Sequence, residues 1–306
     1  VSSPDLDARD HPLIIIGALP EPPIAELDAV AAQIMDAAAR GEPLGPLPLT
    51  FLLRHYLATG HDDLAAVVGG ALAAAFEPSA AERDVVARAA WLVLFCDATA
   101  LSDDERLLAS AGDLLRGLRD DWPSATRVAD AAASVDACMR AADAASLVDS
   151  QDLVPAAIDQ LERIVAGAYR PGGGMAATLS APAHVRGSAA DQVRSAAALL
   201  TAFERSGRLP YSMLAEELIQ PFRGANAVED VVIACESARV LSRVAALHAD
   251  PDYRRAAVVA VDADYRREAE PLLALLSPRA RAAGLDAAAA YGLALGEWLA
   301  TAPDLQ

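Results

Sequence analysis

Apolar positions recur every three to four residues over long stretches of this chain, and each stretch ends in a short polar turn before the next begins. Leu49–Thr59 runs into Gly60-His61-Asp62-Asp63 and then Leu64–Phe76. Asp84–Phe95 runs into Thr99-Ala100-Leu101-Ser102-Asp103 and then Glu105–Leu118. The plan returns in Asp130–Ala142 with Leu153–Ala166, in Ala189–Glu204 with Tyr211–Gln220, and in Val231–Leu247, which Ala249-Asp250-Pro251-Asp252 joins to a further helical stretch. The turns are spaced at roughly 40 to 60 residues, close to the period of helix-pair repeats. Their chemistry is that of helix ends. Asp62 or Asp63, Ser102 with Asp103, and Asp250 before Pro251 suit helix starts, while Gly60 and Gly207 suit left-handed stops.

Within each pair the first helix is rich in alanine and poor in charge, whereas the second is amphipathic, as in Glu105-Arg106-Leu107-Leu108 with Leu114-Leu115. That asymmetry predicts an inner and an outer layer. Five pairs are visible, and a sixth follows from Ala263–Leu276 with Asp286–Leu299, or from the N-terminal helix Ile24–Ala39. Six pairs curling until the last meets the first make an all-α (α/α)6 toroid, a single domain over residues 1–306. An open solenoid would instead need polar caps at both ends. Residues 1–23, with a strand-like run at Pro12–Gly17, are expected to form an extended arm, and Gly41–Pro48 a proline-rich connector. Tyr169–Gly187 is the longest stretch without helical periodicity and is expected to form a loop or strand pair at the toroid mouth.

Composition narrows the function more than the fold. The 306 residues carry a net charge of −18, and all 25 basic residues are arginine. An acidic chain of this kind is a poor match for a nucleic-acid backbone or an anionic membrane surface. No apolar run approaches the ~18 residues of a membrane span. Cys96, Cys138 and Cys235 are too few and too scattered for a disulfide framework, which points to a reducing, cytoplasmic setting. The N-terminal apolar run lacks the basic flank of a secretory signal.

Three blocks resemble the helical region of YyaL-type proteins, which pair a thioredoxin-like domain with a six-hairpin, glycosidase-like toroid. They are Pro48–Gly60 (P-L-T-F-L-L-R-H-Y-L-A-T-G), Ala190–Gly207 with Leu214–Leu218, and Ala234–Leu247 with Asp252-Tyr253-Arg254. The resemblance runs from about Pro48 onward and implies architecture rather than a reaction. A Cys-x-x-Cys and a thioredoxin-like segment have no counterpart here. The toroid is also similar to that of N-acylglucosamine 2-epimerases, whose paired inner-helix histidines find no match in this chain.

In a toroid the polar residues of the inner helices face a shared hollow. Asp191, Gln192 and Arg194 head one inner helix, directly after the long loop with His184 and Arg186. Cys235, Glu236 and Arg239 fall on the next. Such donors and acceptors suit a small polar or sugar-like ligand, with Asp191, Glu236 and His184 as acid/base candidates. Trp91 and Tyr169 are candidates for stacking on a sugar face. Each has a plain alternative: Asp191 can serve a helix dipole, Glu236 and Arg239 an ordinary helix ion pair, and Trp91 the core. His55, His61 and His248 flank turns and are expected at the surface. The glycines of Pro171–Gly174 lack the ending of a phosphate loop, and no metal-ligand spacing occurs, so neither a metal nor a cofactor is expected. The competing reading is a scaffold whose centre is plugged by its own side chains and whose surface recruits a protein, such as a separate thioredoxin-like partner. A hollow, charged centre separates the two.

Overall fold

The computed structural model describes residues 19, 23–144, 150–179, 185–224, 228–257 and 263–301. Most of the expected arm, the run at Pro12–Gly17, residues 145–149 between two of the expected helices, and His184 lie outside the described residues. The helices are α1 (Pro23–Ala39), α2 (Pro46–Thr59), α3 (Asp62–Ala74), α4 (Phe76–Ala81), α5 (Val85–Ala98), α6 (Glu105–Asp121) and α7 (Val128–Ala141). They continue as α8 (Ser150–Ala168), α9 (Ala189–Ser206), α10 (Leu209–Ile219), α11 (Val231–Ala249), α12 (Pro251–Ala256), α13 (Tyr265–Ala282) and α14 (Leu285–Ala300).

Aspartates start many of these helices. Asp84, Asp104, Asp230, Asp250 and Asp264 each accept a hydrogen bond from a first-turn backbone N–H, a device that contributes about 1 kcal/mol apiece. Part of the chain's negative charge is therefore helix-capping chemistry. Gly60 and Gly207 close α2 and α9 in the left-handed region, at φ 68°. Two expected caps are displaced: α3 starts on His61, with Asp62 and Asp63 inside its first turn, and α6 starts on Asp104 instead of Ser102 or Asp103. The connector expected over Gly41–Pro48 is also shorter, because Pro46 and Pro48 lie in the first turn of α2. Proline is tolerated there, since first-turn N–H groups have no intrahelical acceptor to lose.

The chain is an (α/α)6 toroid. Helices α2, α5, α7, α9, α11 and α14 form the inner ring, each packing on its two neighbours, and α14 returns to α2. Helices α3, α6, α8, α10, α13 and α1 lie outside them. The layers follow from composition: inner α7 buries Ala129, Ala131, Ala132, Ala137 and Ala141, and inner α14 buries Ala287–Ala290. Outer α6 buries only a stripe of Leu107, Ala111, Leu114, Leu115 and Leu118. Helix α1 completes the circle by packing on both α14 and α2. Its buried Glu26 accepts a hydrogen bond from Ser277 of α13 at 2.9 Å.

The long loop contains the antiparallel pair β1 (Tyr169–Arg170) and β2 (Gly174–Met175). It lies over the starts of α7 and α9, where Ala177 accepts from the Val128 N–H at 3.1 Å and Thr126 from the Leu179 N–H at 3.0 Å.

Candidate functional site

The inner helices meet start to start and finish to finish, as Asp191 of α9 with the Ala129 N–H of α7 and Glu297 of α14 with Arg54 of α2 show, so all six begin at one end of the ring and finish at the other. Between them lies a cavity of about 340 Å³ bordered by all six. Its apolar lining combines Ala87, Ala89, Ala90, Ala133, Ala137 and Ala197 with Leu47, Val86, Val93, Val232, Val240 and Leu293.

Polar groups sit at three heights. Asp84 and Asp286 stand where the inner helices begin. Arg194 and Glu236 face each other partway down, and Arg54, Asp136, Arg140, Arg239, Arg243 and Glu297 lie near the far end. From Asp286 to Glu297 is about 16 Å along α14 at the helical rise. The carboxylates where the helices begin suit the parallel dipoles of the ring, and the guanidiniums towards the C-termini are balanced there by Asp136 and Glu297.

The far end is stitched by ion pairs. Arg54 of α2 contacts Asp97 of α5 at 3.2 Å and Glu297 of α14 at 3.3 Å. The same Glu297 oxygen accepts from Arg239 of α11 at 2.6 Å. Arg243, one turn along α11, reaches Glu204 at 2.8 Å and the Thr201 hydroxyl at 3.0 Å on α9. Thr201 in turn donates to Asp136 of α7 at 2.5 Å, and Arg140 holds Asp136 at 2.8 Å. One chain of contacts thus joins α5, α2, α14, α11, α9 and α7.

Charge compensation is visible in the titration of these groups. Burial works against ionised Asp136, but Arg140, Arg243 and the Thr201 hydroxyl outweigh it and hold the carboxyl below the usual range. Burial likewise opposes Glu297, and Arg239 with Arg54 overcomes it. Arg243 is pulled down by burial and by neighbouring Arg140. Burial also opposes the charge on Arg194, yet bidentate contact with Glu236, at 3.0 and 3.2 Å, leaves its guanidinium more firmly protonated than usual. Asp286 differs from the other carboxylates of the lining. Desolvation by the wall around it raises its carboxyl, and among the described residues it has no ion-pair or hydrogen-bond partner.

Of the described residues singled out by sequence, the structure brings together Arg194, Glu236 and Arg239 and places the others elsewhere; His184 lies outside the described residues. Asp191 is buried beneath the loop. Its carboxylate accepts from Ser188 N–H and Oγ, both at 2.8 Å, and from the Ala129 N–H of α7 at 3.0 Å. Gln192 clamps the backbone of Met175 in both directions, at 2.8 and 2.7 Å. Tyr169 donates to Glu217 at 2.8 Å, and Arg186 is exposed beside β2. Trp91 is buried against Phe95, with ring centres 5.7 Å apart. Cys235 is buried away from the cavity, and burial, reinforced by Glu236, pushes its thiol up to about 12. Two histidines expected at the surface are drawn inward: His55 is buried and contacts Asp28 at 3.1 Å, and His248 is half-buried and contacts Glu216 at 3.2 Å. A carboxylate supplies each with the polar partner that an enclosed imidazole needs.

Arg54, Asp136, Arg140, Arg243 and Glu297 were not anticipated. Their signal was present, as single charges inside alanine- and leucine-rich inner helices: Leu53-Arg54, Asp136 with Arg140 four residues on, and Gly296-Glu297-Trp298.

No protein-family model and no curated protein sequence matches the chain. Among solved structures it is similar to one described as an unsaturated glucuronyl hydrolase specific for heparin. The TM-score is 0.65 at 12% identity, covering 90% of this chain and 96% of that one. At that identity the likeness shows the fold alone, an (α/α)6 toroid. Among the described residues no helix is long and apolar enough to cross a membrane.

Proposed function

We propose that the central cavity binds a small, polyhydroxylated, sugar-like molecule. The observation that carries this reading is the hollow itself: about 340 Å³ enclosed by all six inner helices and furnished with charged groups in place of a plug of leucine and tryptophan. That volume lies within the range of small-molecule sites. The alanine, valine and leucine side chains of the lining supply apolar contact for ring faces. Asp286 and the Arg194–Glu236 pair supply acceptors and donors for hydroxyls, and Asp286 is the carboxyl best suited to carry a proton. The likeness to a glycosidase-like toroid supports the same ligand class, and the six-hairpin architecture supports kinship with the helical region of YyaL-type proteins.

The test is a thermal-shift and calorimetric screen of neutral, amino and acidic mono- and disaccharides against the wild type, Glu236→Gln and Asp286→Asn. Saturable stabilisation of the wild type, weakened in both variants, is expected. A wild type that no sugar stabilises, or variants that bind as tightly as the wild type, would overturn the proposal.

A further inference from the structure

A second concavity lies on the outer surface, away from the ring centre. Arg116 and Arg119 of α6, Arg163 of α8 and the indole of Trp122 border a depression of about 360 Å³, with Asp120 and Asp159 beside them. In a chain of net charge −18, a gathering of three guanidiniums in one hollow asks for a reason. The dipole at the C-terminal end of α6 accounts for Arg119, in its last turn, and an ion pair with Asp113 accounts for Arg116. Neither accounts for Arg163, which stands before the last turn of α8.

The hollow is also built. Gln160, buried, accepts from Arg163 at 3.2 Å and donates to the Trp122 carbonyl at 3.4 Å. The Trp122 indole N–H donates to Ser134 of α7 at 3.0 Å. The Arg163 guanidinium and the Trp122 backbone are thus tied to one buried amide, and the indole to the inner ring. Arg119 has no hydrogen-bond or ion-pair partner among the described residues, nor do Asp120 and Asp159. Guanidiniums with spare donors match the oxygens of a tetrahedral anion, an immobilised indole offers a ring surface, and unpaired carboxylates accept from hydroxyls.

We propose that this depression is a second ligand site, one that takes a tetrahedral oxyanion, free or carried on a small hydroxylated body. The proposal is independent of the central cavity.

The experiment follows the Trp122 indole N–H signal by NMR in the full chain during titration with inorganic phosphate, inorganic sulfate, glucose 6-phosphate and glucose. Oxyanions are expected to shift the signal saturably and glucose is not. Arg119→Ala and Arg163→Ala should each weaken binding about tenfold, the scale of a lost charge-assisted contact. Unchanged Trp91 and Trp298 signals would show that these variants remain folded. Tighter binding of glucose 6-phosphate than of phosphate would identify the ester as the ligand, and equal affinity the free anion. The proposal is overturned by the absence of a saturable shift, by an equal response to glucose, or by folded arginine variants that bind like the wild type.

Discussion

Arg239 of α11 and Glu297 of α14 meet at 2.6 Å at the far end of the cavity, and the same Glu297 oxygen also receives Arg54 of α2 at 3.3 Å. One carboxylate therefore couples three inner helices. Replacing Glu297 by alanine leaves the Arg239 guanidinium without its carboxylate in a partly enclosed space, while Arg54 keeps Asp97. The expected loss is about 3 kcal/mol, at the lower end for broken buried pairs because these groups keep some solvent. Urea denaturation of Glu297→Ala checks this, and a loss under about 1 kcal/mol would mean that the stitch is ornamental.

Acid should loosen the ring through the same groups. Asp136 and Glu297 titrate below their ordinary values in the folded chain. Their contribution is complete above the unfolded-state carboxyl range, about 4, and is lost as pH falls through the lower folded-state values. The urea midpoint should therefore decline below that range, and less steeply in Glu297→Gln. Parallel pH profiles for the two proteins would contradict the assignment.

Asp191 ties the start of α9 to the start of α7, through Ser188 and the Ala129 N–H. Asp191→Ala should cost about 1 to 2 kcal/mol, the value of a cap, with an added penalty for the orphaned N–H. Hydrogen exchange at Ala129 provides the local readout. Protection there should fall while the far end of the ring is unaffected.

The three thiols are all pushed up to about 12, chiefly by burial. At pH 8 the native chain should resist thiol-directed labelling, since the thiolate is the reacting form. All three should react after unfolding. Rapid native labelling of Cys235 would place it in a different environment from the one described.

Gly292 lies within α14, where alanine ordinarily stabilises a helix by about 1 kcal/mol. Here the sign should reverse, because a Cβ at Gly292 would run into the ring of buried Phe51. A higher melting temperature for Gly292→Ala would show that Phe51 gives way easily.

Much of the architecture was legible from periodicity. The pairing of alanine-rich with amphipathic helices assigned the layers because an inner helix is enclosed on every side and an outer one is not. Element edges were less legible where proline was read only as a breaker, as at Pro46. The candidate site divided differently. Glu236, Arg194 and Arg239 were found from their places on inner helices. Asp191 and Gln192 were placed beside them because position along a helix says nothing of which backbone groups a neighbouring loop leaves to be satisfied. In the structure the N–H of Ala129 and the strand at Met175 engage these two side chains. Arg140 and Glu297 become prominent only once the ring shows which helix faces meet.

Helix α1 seals the circle against α14, with Glu26 held by Ser277, 251 residues further along the sequence. Contacts this far apart are the slowest to form, because most of the chain must be arranged before they repay the entropy of closing so large a loop. The hollow is accordingly a late product of folding. A nascent or partly unfolded chain can hold every hairpin in place and still present no ligand chamber, so occupancy of the chamber would report on completed assembly.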